Sequence, residues 1–297
     1  MRALRIHGYG GPEVMRLEEA PLPVPGPGQV LVRVRAASVN PIDWKMRRGM
    51  MAQVFPIKFP RILGRDCAGE LEGGLVAGVS DPRTDGTHAE YALLPADQAA
   101  PVPEDLSPAE AASLCVTGLS AYIALVETAR ISGGHRVLVH GGAGGVGSIA
   151  IQMARVLGAE VFATASPPNH AYCKSLGAVG VIDYNKQDFT TAIPPCDVVL
   201  DTRGGDVHRR SMKMLKPGGM IVALAADPIP GGERRSDIRV NMAQVRPTRE
   251  RLEQIFQWAI SGVLKPQVTQ TFRPEEAGKA YSISESGHAR GKMVILF

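Results

Sequence analysis

The sequence predicts an α/β protein in two parts, a β-rich domain and a doubly wound parallel-sheet domain. Three observations predict it. The first hundred residues alternate short β-patterned runs with Gly and Pro. From about Ser107 onward, strand-like and helix-like runs alternate, as βαβ units require. Residues 137–158, VLVHGGAGGVGSIAIQMARVLG, pass from a short apolar run through a knot of glycines into a helix-period pattern. A length of 297 residues suits two domains rather than one core.

In chain order, residues 21–28 (PLPVPGPG) form a rigid, punctuated loop. Residues 30–36 (VLVRVRA) alternate faces as a strand, and 68–71 and 89–94 are further short strands. Ser107 followed by Pro108 is a helix start, Ser as N-cap and Pro at the first helical position. A second helical run covers 117–127. Val137, Leu138 and Val139 make a buried strand, and Val146, Ile149, Ala150, Met153, Ala154 and Leu157 recur at helical spacing after it. Strands follow at 160–165, 180–183, 198–201 and 220–224, with a helix over 171–176. An amphipathic helix covers 248–260 and a last apolar strand 292–297, while 227–237, rich in Pro, Gly and Arg, reads as a mobile loop.

Composition narrows the function. Hydrophobic content of 44% with 21% charged residues describes a globular protein. The net charge of +4 is spread along the chain, and its densest cluster, residues 45–48 (KMRR), reads as solvated surface. With 5% aromatics there is no interleaving of basic and aromatic residues, so nucleic acid is an unfavoured partner. Cys67, Cys115, Cys173 and Cys196 lie far apart without a C-x-x-C pair, which argues against structural zinc and a disulfide scaffold. They read as reduced, buried thiols in a cytoplasmic protein. The first residues lack the apolar core of a signal peptide, and no run approaches a membrane span.

Gly142, Gly144 and Gly147 fit G-x-G-x-x-G between a strand and a helix. Such a turn directs free backbone N–H groups and the positive helix end at one place, which suits a pyrophosphate. Gly142, Gly144, Gly145, Val146 and Gly147 are therefore candidate dinucleotide ligands. In a fold of this type an acid after the second strand holds the ribose 2′-hydroxyl of NAD and repels a 2′-phosphate. Here that strand ends Ala163-Thr164-Ala165-Ser166-Pro167-Pro168, without an acid. Ser166 is a donor for a phosphate, and His170 and Tyr184 follow near the same end of the sheet. The reading is NADPH.

Seven segments together resemble the medium-chain dehydrogenase/reductase superfamily, in its zinc-free quinone oxidoreductase (zeta-crystallin-like) family. They are residues 26–49 (GPGQVLVRVRAASVNPIDWKMRRG), 64–70 (GRDCAGE), 86–93 (GTHAEYAL), 137–147, 175–178 (SLGA), 215–219 (LKPGG) and 287–295 (GHARGKMVI). The resemblance implies a GroES-like catalytic domain, 1–106 with 262–297, split around a Rossmann domain at 107–261. It implies that Asn40 and Arg65 stand where zinc-dependent relatives place metal ligands, that Asn40 lies near the nicotinamide amide, and that Lys45 contacts cofactor or acceptor. By residue type alone Lys45 is a surface cation. Thr117, Leu224 and Ala225 match cofactor-side positions, and Lys292 either lines the cleft or supports it. His88 and His288 read as structural, and Asp43 as ordering its loop. Edge strands near 240–245 imply a homodimer. The stretch between Gly69 and Gly86 is shorter than the family's, which trims one wall of the catalytic barrel.

Without zinc, an alcohol lacks the ion that lowers its pKa, whereas an electron-poor acceptor needs only hydride and modest oxyanion support. The expected function is reduction of quinones or α,β-unsaturated carbonyls by NADPH, with Asn40 and Lys45 at the reacting end and a small electrophilic acceptor as partner. An enoyl-thioester reductase shares the chemistry. An NADPH-binding protein without turnover, crystallin-like or RNA-binding, is the alternative from another class, and the basic stretch 231–239 is its support. Ser166→Asp is expected to weaken NADPH binding far more than NADH binding; equal losses in a fluorescence titration of both would reject the NADPH assignment.

Overall fold

The computed structural model describes residues 1–224 and 235–297. The chain divides into two compact units: Met1–Val116, Pro247–Gly262 and Pro266–Phe297, and Thr117–Arg246 with Val263–Lys265. Most of the loop expected at 227–237 lies outside the described residues, as does Ala225.

The first unit opens with β1 (Arg2–Ile6), β2 (Met15–Glu19), β3 (Gln29–Ser38), α1 (Pro41–Arg47), β4 (Arg61–Ile62), β5 (Asp66–Leu71), β6 (Gly74–Val79), β7 (Tyr91–Pro95) and β8 (Ala100–Pro101). Strands β2, β1 and β4 form a small sheet in that order. Strand β3 is the spine of a larger one. Its residues Arg33 to Ser38 pair with β5 on one edge, and Gln29 to Arg33 pair with β7 on the other. Strands β5 and β6 make one tight antiparallel hairpin, and this fills most of the short stretch between Gly69 and Gly86.

Helix α2 (Pro108–Tyr122) starts at a reciprocal cap: Glu110 N–H donates to Ser107 Oγ (3.3 Å) and Ser107 N–H to Glu110 Oε2 (3.1 Å). It continues through a π-helical stretch to Thr128, so the two runs read from the sequence are one helix. The expectation that no stretch is long enough to span a membrane is corrected here: Pro108–Thr128 is long and apolar enough. However, 72% of its apolar window is buried inside the protein, which is the situation of a core helix.

The second unit follows as β9 (Arg136–Val139), α3 (Gly145–Val156), β10 (Glu160–Ala165), α4 (His170–Ser175), β11 (Gly180–Asp183), α5 (Phe189–Ala192), β12 (Cys196–Asp201), α6 (Gly205–Ser211), β13 (Leu215–Ala223) and β14 (Arg239–Met242). Its six strands are all parallel, in the order β11-β10-β9-β12-β13-β14. Counted within the unit this is 3-2-1-4-5-6, the doubly wound Rossmann order, whose direction reverses between β9 and β12. Ligands bind at the carboxyl ends of the strands at such a reversal.

The chain then returns to the first unit through α7 (Arg249–Ile260), β15 (Val268–Phe272), α8 (Ala277–Glu285) and β16 (Lys292–Leu296). Thr248 caps α7 by accepting from Arg251 N–H. The sequence placed 107–116 and 248–261 with the Rossmann part, whereas they pack with the first unit. In α7 the reason is visible: Leu252, Ile255 and Phe256 are fully buried, and Arg249 Nη2 donates to the Ala96 carbonyl (2.7 Å). Strand β16 pairs antiparallel with β3 over Ser38 to Ala36, beside β7, and parallel with β15.

Two side-chain expectations resolve differently. All four cysteines are buried thiols outside any disulfide. The basic cluster at 45–48 is not uniformly solvated, because Arg47 is 0% exposed. Its Nε donates to the Gly10 carbonyl (3.2 Å), its Nη2 pairs with Glu285, and its guanidinium lies 5.5 Å from the Tyr281 ring centre. Arg47 therefore ties α1 to α8.

Candidate active site

In the second unit the chain leaves β9 through His140 and turns on Gly141, whose φ of +64° favours glycine. Gly142 N–H donates to the Thr164 carbonyl (3.0 Å) and Gly144 N–H to the Gly141 carbonyl (3.0 Å). Helix α3 begins at Gly145 with Gly144 as N-cap and no side-chain cap. The first N–H groups, of Gly145, Val146 and Gly147, are thus donors at a helix start.

The three motif glycines have separate reasons. A Cβ on Gly147 would stand 2.2 Å from the Gly141 carbonyl oxygen, and one on Gly142 would stand 2.7 Å from Ala163 Cβ. Those two serve packing. On Gly144 a Cβ would meet only the Gly141 oxygen, at 3.4 Å. The open side at Gly144, beside uncapped donors, is a cradle a pyrophosphate fits.

Buried polar side chains pin this turn. Thr164 Oγ1 accepts from Gly141 N–H (3.2 Å) and lies 3.2 Å from His140 Nδ1. Ser211 Oγ donates to the Val207 carbonyl (2.7 Å), so His140 Nε2, 2.9 Å away, is the donor to Ser211. His140 is therefore the neutral Nε2–H tautomer, and burial pushes its pKa down to about 4. Thr202 Oγ1 donates to the His140 carbonyl (2.7 Å), linking the turns after β9 and β12. Asp201 orders the second turn by accepting from Arg203 N–H (2.8 Å), Gly204 N–H (2.9 Å) and His208 Nδ1 (2.8 Å). Leu224, just past β13, donates its N–H to the Asp201 carbonyl (2.9 Å). Thr117 lies on α2 and is 2% exposed.

Ser166 stands immediately after β10, half-buried, and its Oγ accepts from Asn169 Nδ2 (3.1 Å). His170 Nε2 donates to the Ala165 carbonyl (3.1 Å), which brings Ser166 and His170 to one strand end. Tyr184 follows Asp183, the partner of Ala165 in β11, and is 47% exposed. Asp183 is the carboxylate at this end; it is 6% exposed and caps its own turn by accepting from Asn185 N–H (3.1 Å).

In the first unit, Asn40 is the N-cap of α1 with Pro41 behind it, and Asp43 Oδ2 accepts from Asn40 N–H (2.7 Å). The Asn40 carboxamide is engaged at both of its ends. Its Nδ2 donates to Asp66 Oδ1 (2.9 Å), and its Oδ1 accepts from Lys292 Nζ (2.8 Å). Lys292 also donates to the Val39 carbonyl (2.7 Å), and Asp66 also accepts from Ser38 Oγ (2.6 Å) and Val116 N–H (3.0 Å). Lys292 thus supports the loop rather than lining a surface: it is 4% exposed. Burial lowers its pKa, opposed by the charges of Asp66 and Asp43.

Burial pushes the Asp43 carboxyl up to about 7 against the lowering effect of the Asn40 N–H bond. Lys45 is half-buried on α1, its Nζ 5.7 Å from the Trp44 ring centre. Ser38 and Asp66 enter the sequence reading only as members of motifs, not as a buried pair, and Thr202 only as part of the turn after the fourth Rossmann strand. Residues 64–70 carried the only signal for Asp66, as part of a motif rather than as a partner for Asn40. Among the described residues no group of three or more His, Cys, Asp or Glu is placed to hold a metal.

His88 closes this network from below. It donates through Nε2 to the Ser38 carbonyl (3.2 Å), and Nδ1 accepts from Tyr281 Oη (2.9 Å). Burial pushes its pKa down to about 4 from 6.5. Between those values the unfolded chain binds protons that native His88 and His140 refuse, so stability falls as pH drops through that window. Urea denaturation is expected to show a lower midpoint at pH 4.5 than at pH 6.5, and His88→Gln is expected to reduce the slope of midpoint against pH. An unchanged slope in the variant would remove His88 from the account.

A family model described as zinc-binding dehydrogenase matches residues 176–295, and one described as alcohol dehydrogenase GroES-like domain matches 26–74. The chain is 35% identical to a 2-methylene-furan-3-one reductase of Solanum lycopersicum, over 99% of this chain and 79% of that protein. The quinone oxidoreductase of Coxiella burnetii superposes with a TM-score of 0.93 at 34% identity, covering 100% of this chain and 99% of that one. The Escherichia coli quinone oxidoreductase solved with NADPH superposes with a TM-score of 0.91 at 27% identity, covering 100% of both chains. With the Rossmann strand order, the glycine cradle and the β-rich unit around β3, these likenesses establish that the chain belongs to the quinone oxidoreductase family of the medium-chain dehydrogenase/reductase superfamily.

Proposed function

We propose that this chain, an NAD(P)H-dependent oxidoreductase, reduces quinones or α,β-unsaturated carbonyls with hydride from NADPH and without zinc. The observation that carries the reading is the uncapped start of α3 with open space at Gly144. The residues there fit a dinucleotide: N–H groups of Gly145, Val146 and Gly147 for the pyrophosphate. NADPH supplies hydride when bound. Ser166 and His170, at a strand end whose one acid is turned into its own cap, support a 2′-phosphate over a free 2′-hydroxyl.

Zinc independence is supported by the Asn40 carboxamide, whose oxygen is taken by the buried Lys292 ammonium and so is not open to a metal ion. Acceptors already polarised by conjugation suit such a site, because the oxygen that gains charge needs only hydrogen-bond support. Lys45, on the same short helix as Asp43, supplies an ammonium for that oxygen. The exposed edge strand β14, with Val240 and Met242 41% and 56% exposed, suits pairing with a second copy of the chain. Four buried cysteines outside any disulfide suit a reducing compartment such as the cytoplasm.

The test is NADPH oxidation against a panel of quinones, enals, enones and enoyl thioesters with product identification. Hydroquinone or saturated carbonyl products are expected with the first three classes; preference for the thioesters would transfer the reading to enoyl reduction. No oxidation with any of them would favour a binding protein without turnover. In the same assay Lys45→Met is expected to lower turnover by about 10-fold or more with NADPH affinity within a few-fold. Unchanged turnover would remove Lys45 from the chemistry.

A further inference from the structure

The turn after β12 carries a cation that its own neighbours leave unneutralised. Asp201 ends β12, and Arg203, two residues later, is exposed. Its backbone is firmly held: the N–H groups of Arg203 and Gly204 both donate to Asp201 Oδ1 (2.8 and 2.9 Å), and Gly204 takes a φ of +74°, which favours glycine. Asp201 is fully buried, and its Oδ2 accepts from buried His208 Nδ1 (2.8 Å), so this carboxylate is spent on the turn itself. The next two arginines, on α6, are paired: Arg209 with Asp206 and Arg210 with Asp188. Arg203 forms no ion pair with any described residue.

The Arg203 side chain lies over the glycine turn. A Cβ built on Gly141 would stand 2.8 Å from Thr202 Oγ1 and 3.8 Å from Arg203 Cδ, and the guanidinium begins at the next atom. Thr202 Oγ1 ties the two turns together at that point through the His140 carbonyl (2.7 Å). The Arg203 charge is near enough to add to the lowering of the His140 pKa. All of these residues belong to the second unit. The same glycine turn leads into the uncapped start of α3. A cation is favoured at the C-terminal end of a helix and disfavoured beside its positive N-terminal end. An exposed guanidinium next to such a helix start is therefore unfavourable until an anion arrives to share both.

We infer that Arg203 is a cofactor-binding residue: its guanidinium donates to the same pyrophosphate as the N–H groups of Gly145, Val146 and Gly147. The planar fork of an arginine suits phosphate oxygens, and backbone N–H groups alone bring no full charge to the anion. Asp201 is the positioning residue, since it fixes the backbone from which Arg203 projects. The pyrophosphate is common to NADPH and NADH, so Arg203 strengthens both and discriminates between neither. Discrimination is left to Ser166 and His170 at the end of β10. This inference rests on the dinucleotide reading of the α3 cradle given above.

The experiment compares wild type, Arg203→Met and Arg203→Lys as full-length chains. It measures the affinities of NADPH and NADH by fluorescence titration at low and high KCl, that of adenosine 2′-monophosphate by displacement of NADPH, and the thermal midpoint without nucleotide. Arg203→Met is expected to weaken NADPH and NADH alike, by about 10-fold or more. It is expected to leave adenosine 2′-monophosphate, which has no pyrophosphate, within about two-fold. The loss shrinks as KCl rises, because salt screens an exposed charge. The midpoint of Arg203→Met is expected to equal or exceed that of wild type, since a cation beside a helix start has been removed. Arg203→Lys, which keeps the charge without the fork, is expected to fall between the two.

Unchanged affinity for both dinucleotides in Arg203→Met would overturn the proposal. A loss confined to NADPH would do the same, because it would move Arg203 to the 2′-phosphate. A fall in midpoint with an equal loss for adenosine 2′-monophosphate would make Arg203 structural, which also overturns it. If Arg203→Met does not fold, Arg203→Gln takes its place under the same criteria. A wild-type chain that binds neither NADPH nor NADH overturns the dinucleotide reading and this inference together. A wild type that binds both, beside an Arg203→Met that binds both equally well, overturns this inference alone.

Discussion

The first unit is organised around one amide. Asn40 stands between an ammonium and a carboxylate that never touch each other directly: Lys292 on its oxygen, Asp66 on its nitrogen. A buried ion pair is costly unless every lone pair and proton finds a partner. Here the cost is met by distribution, because Lys292 also takes the Val39 carbonyl and Asp66 also takes Ser38 Oγ and the Val116 N–H. One residue thereby fixes the C-terminal strand β16, the spine β3, the start of α1, the entry to β5 and the middle of α2. Removing the amide would leave two opposite charges buried without a bridge.

The same arrangement decides which groups are left for chemistry. Asp66 is filled by Ser38, Asn40 and Val116, Asp43 is anchored through one oxygen by the Asn40 N–H, and α1 emerges from the network with Lys45 on it. The second unit follows a similar logic with neutral groups. Thr164, Thr202 and His140 fix the glycine turn from behind, leaving the N–H groups at the start of α3 without a protein cap. Both units use buried, fully partnered residues to hold a few under-partnered ones in place.

Much of this was legible in the sequence wherever a residue's job is local. The glycine turn follows from spacing alone, since Gly142 and Gly147 are dictated by contacts with Ala163 and Gly141 and Gly144 by open space. The Ser107 cap and the Thr248 helix start are likewise local. The strands β1, β2 and β15 were illegible because their faces carry charged or polar residues and their order comes from pairing. Arg47 looked like surface beside Lys45 and Arg48, since nothing local announces that Gly10, Tyr281 and Glu285 surround it. Asn40 was legible as important through its motif. Its partners at 66 and 292 lie 26 and 252 residues away, beyond any periodic pattern.

That separation of 252 residues has a consequence for how the chain comes to be folded. The entropy of closing a loop grows with its length, and contacts of high sequence separation form late. The first unit is interrupted after Val116 and resumes at Pro247, so Lys292 reaches Asn40 only after the whole Rossmann unit has been synthesised. Domains emerge and fold in order during synthesis, and a folded insert shortens the loop that remains to be closed. The nucleotide-binding unit is therefore expected to mature before the unit that starts first, and the α1 loop to acquire its final shape as one of the last events. Until then the carbonyl of Val39 and the amide of Asn40 are open to solvent, and the chain is a dinucleotide binder that has yet to become a reductase.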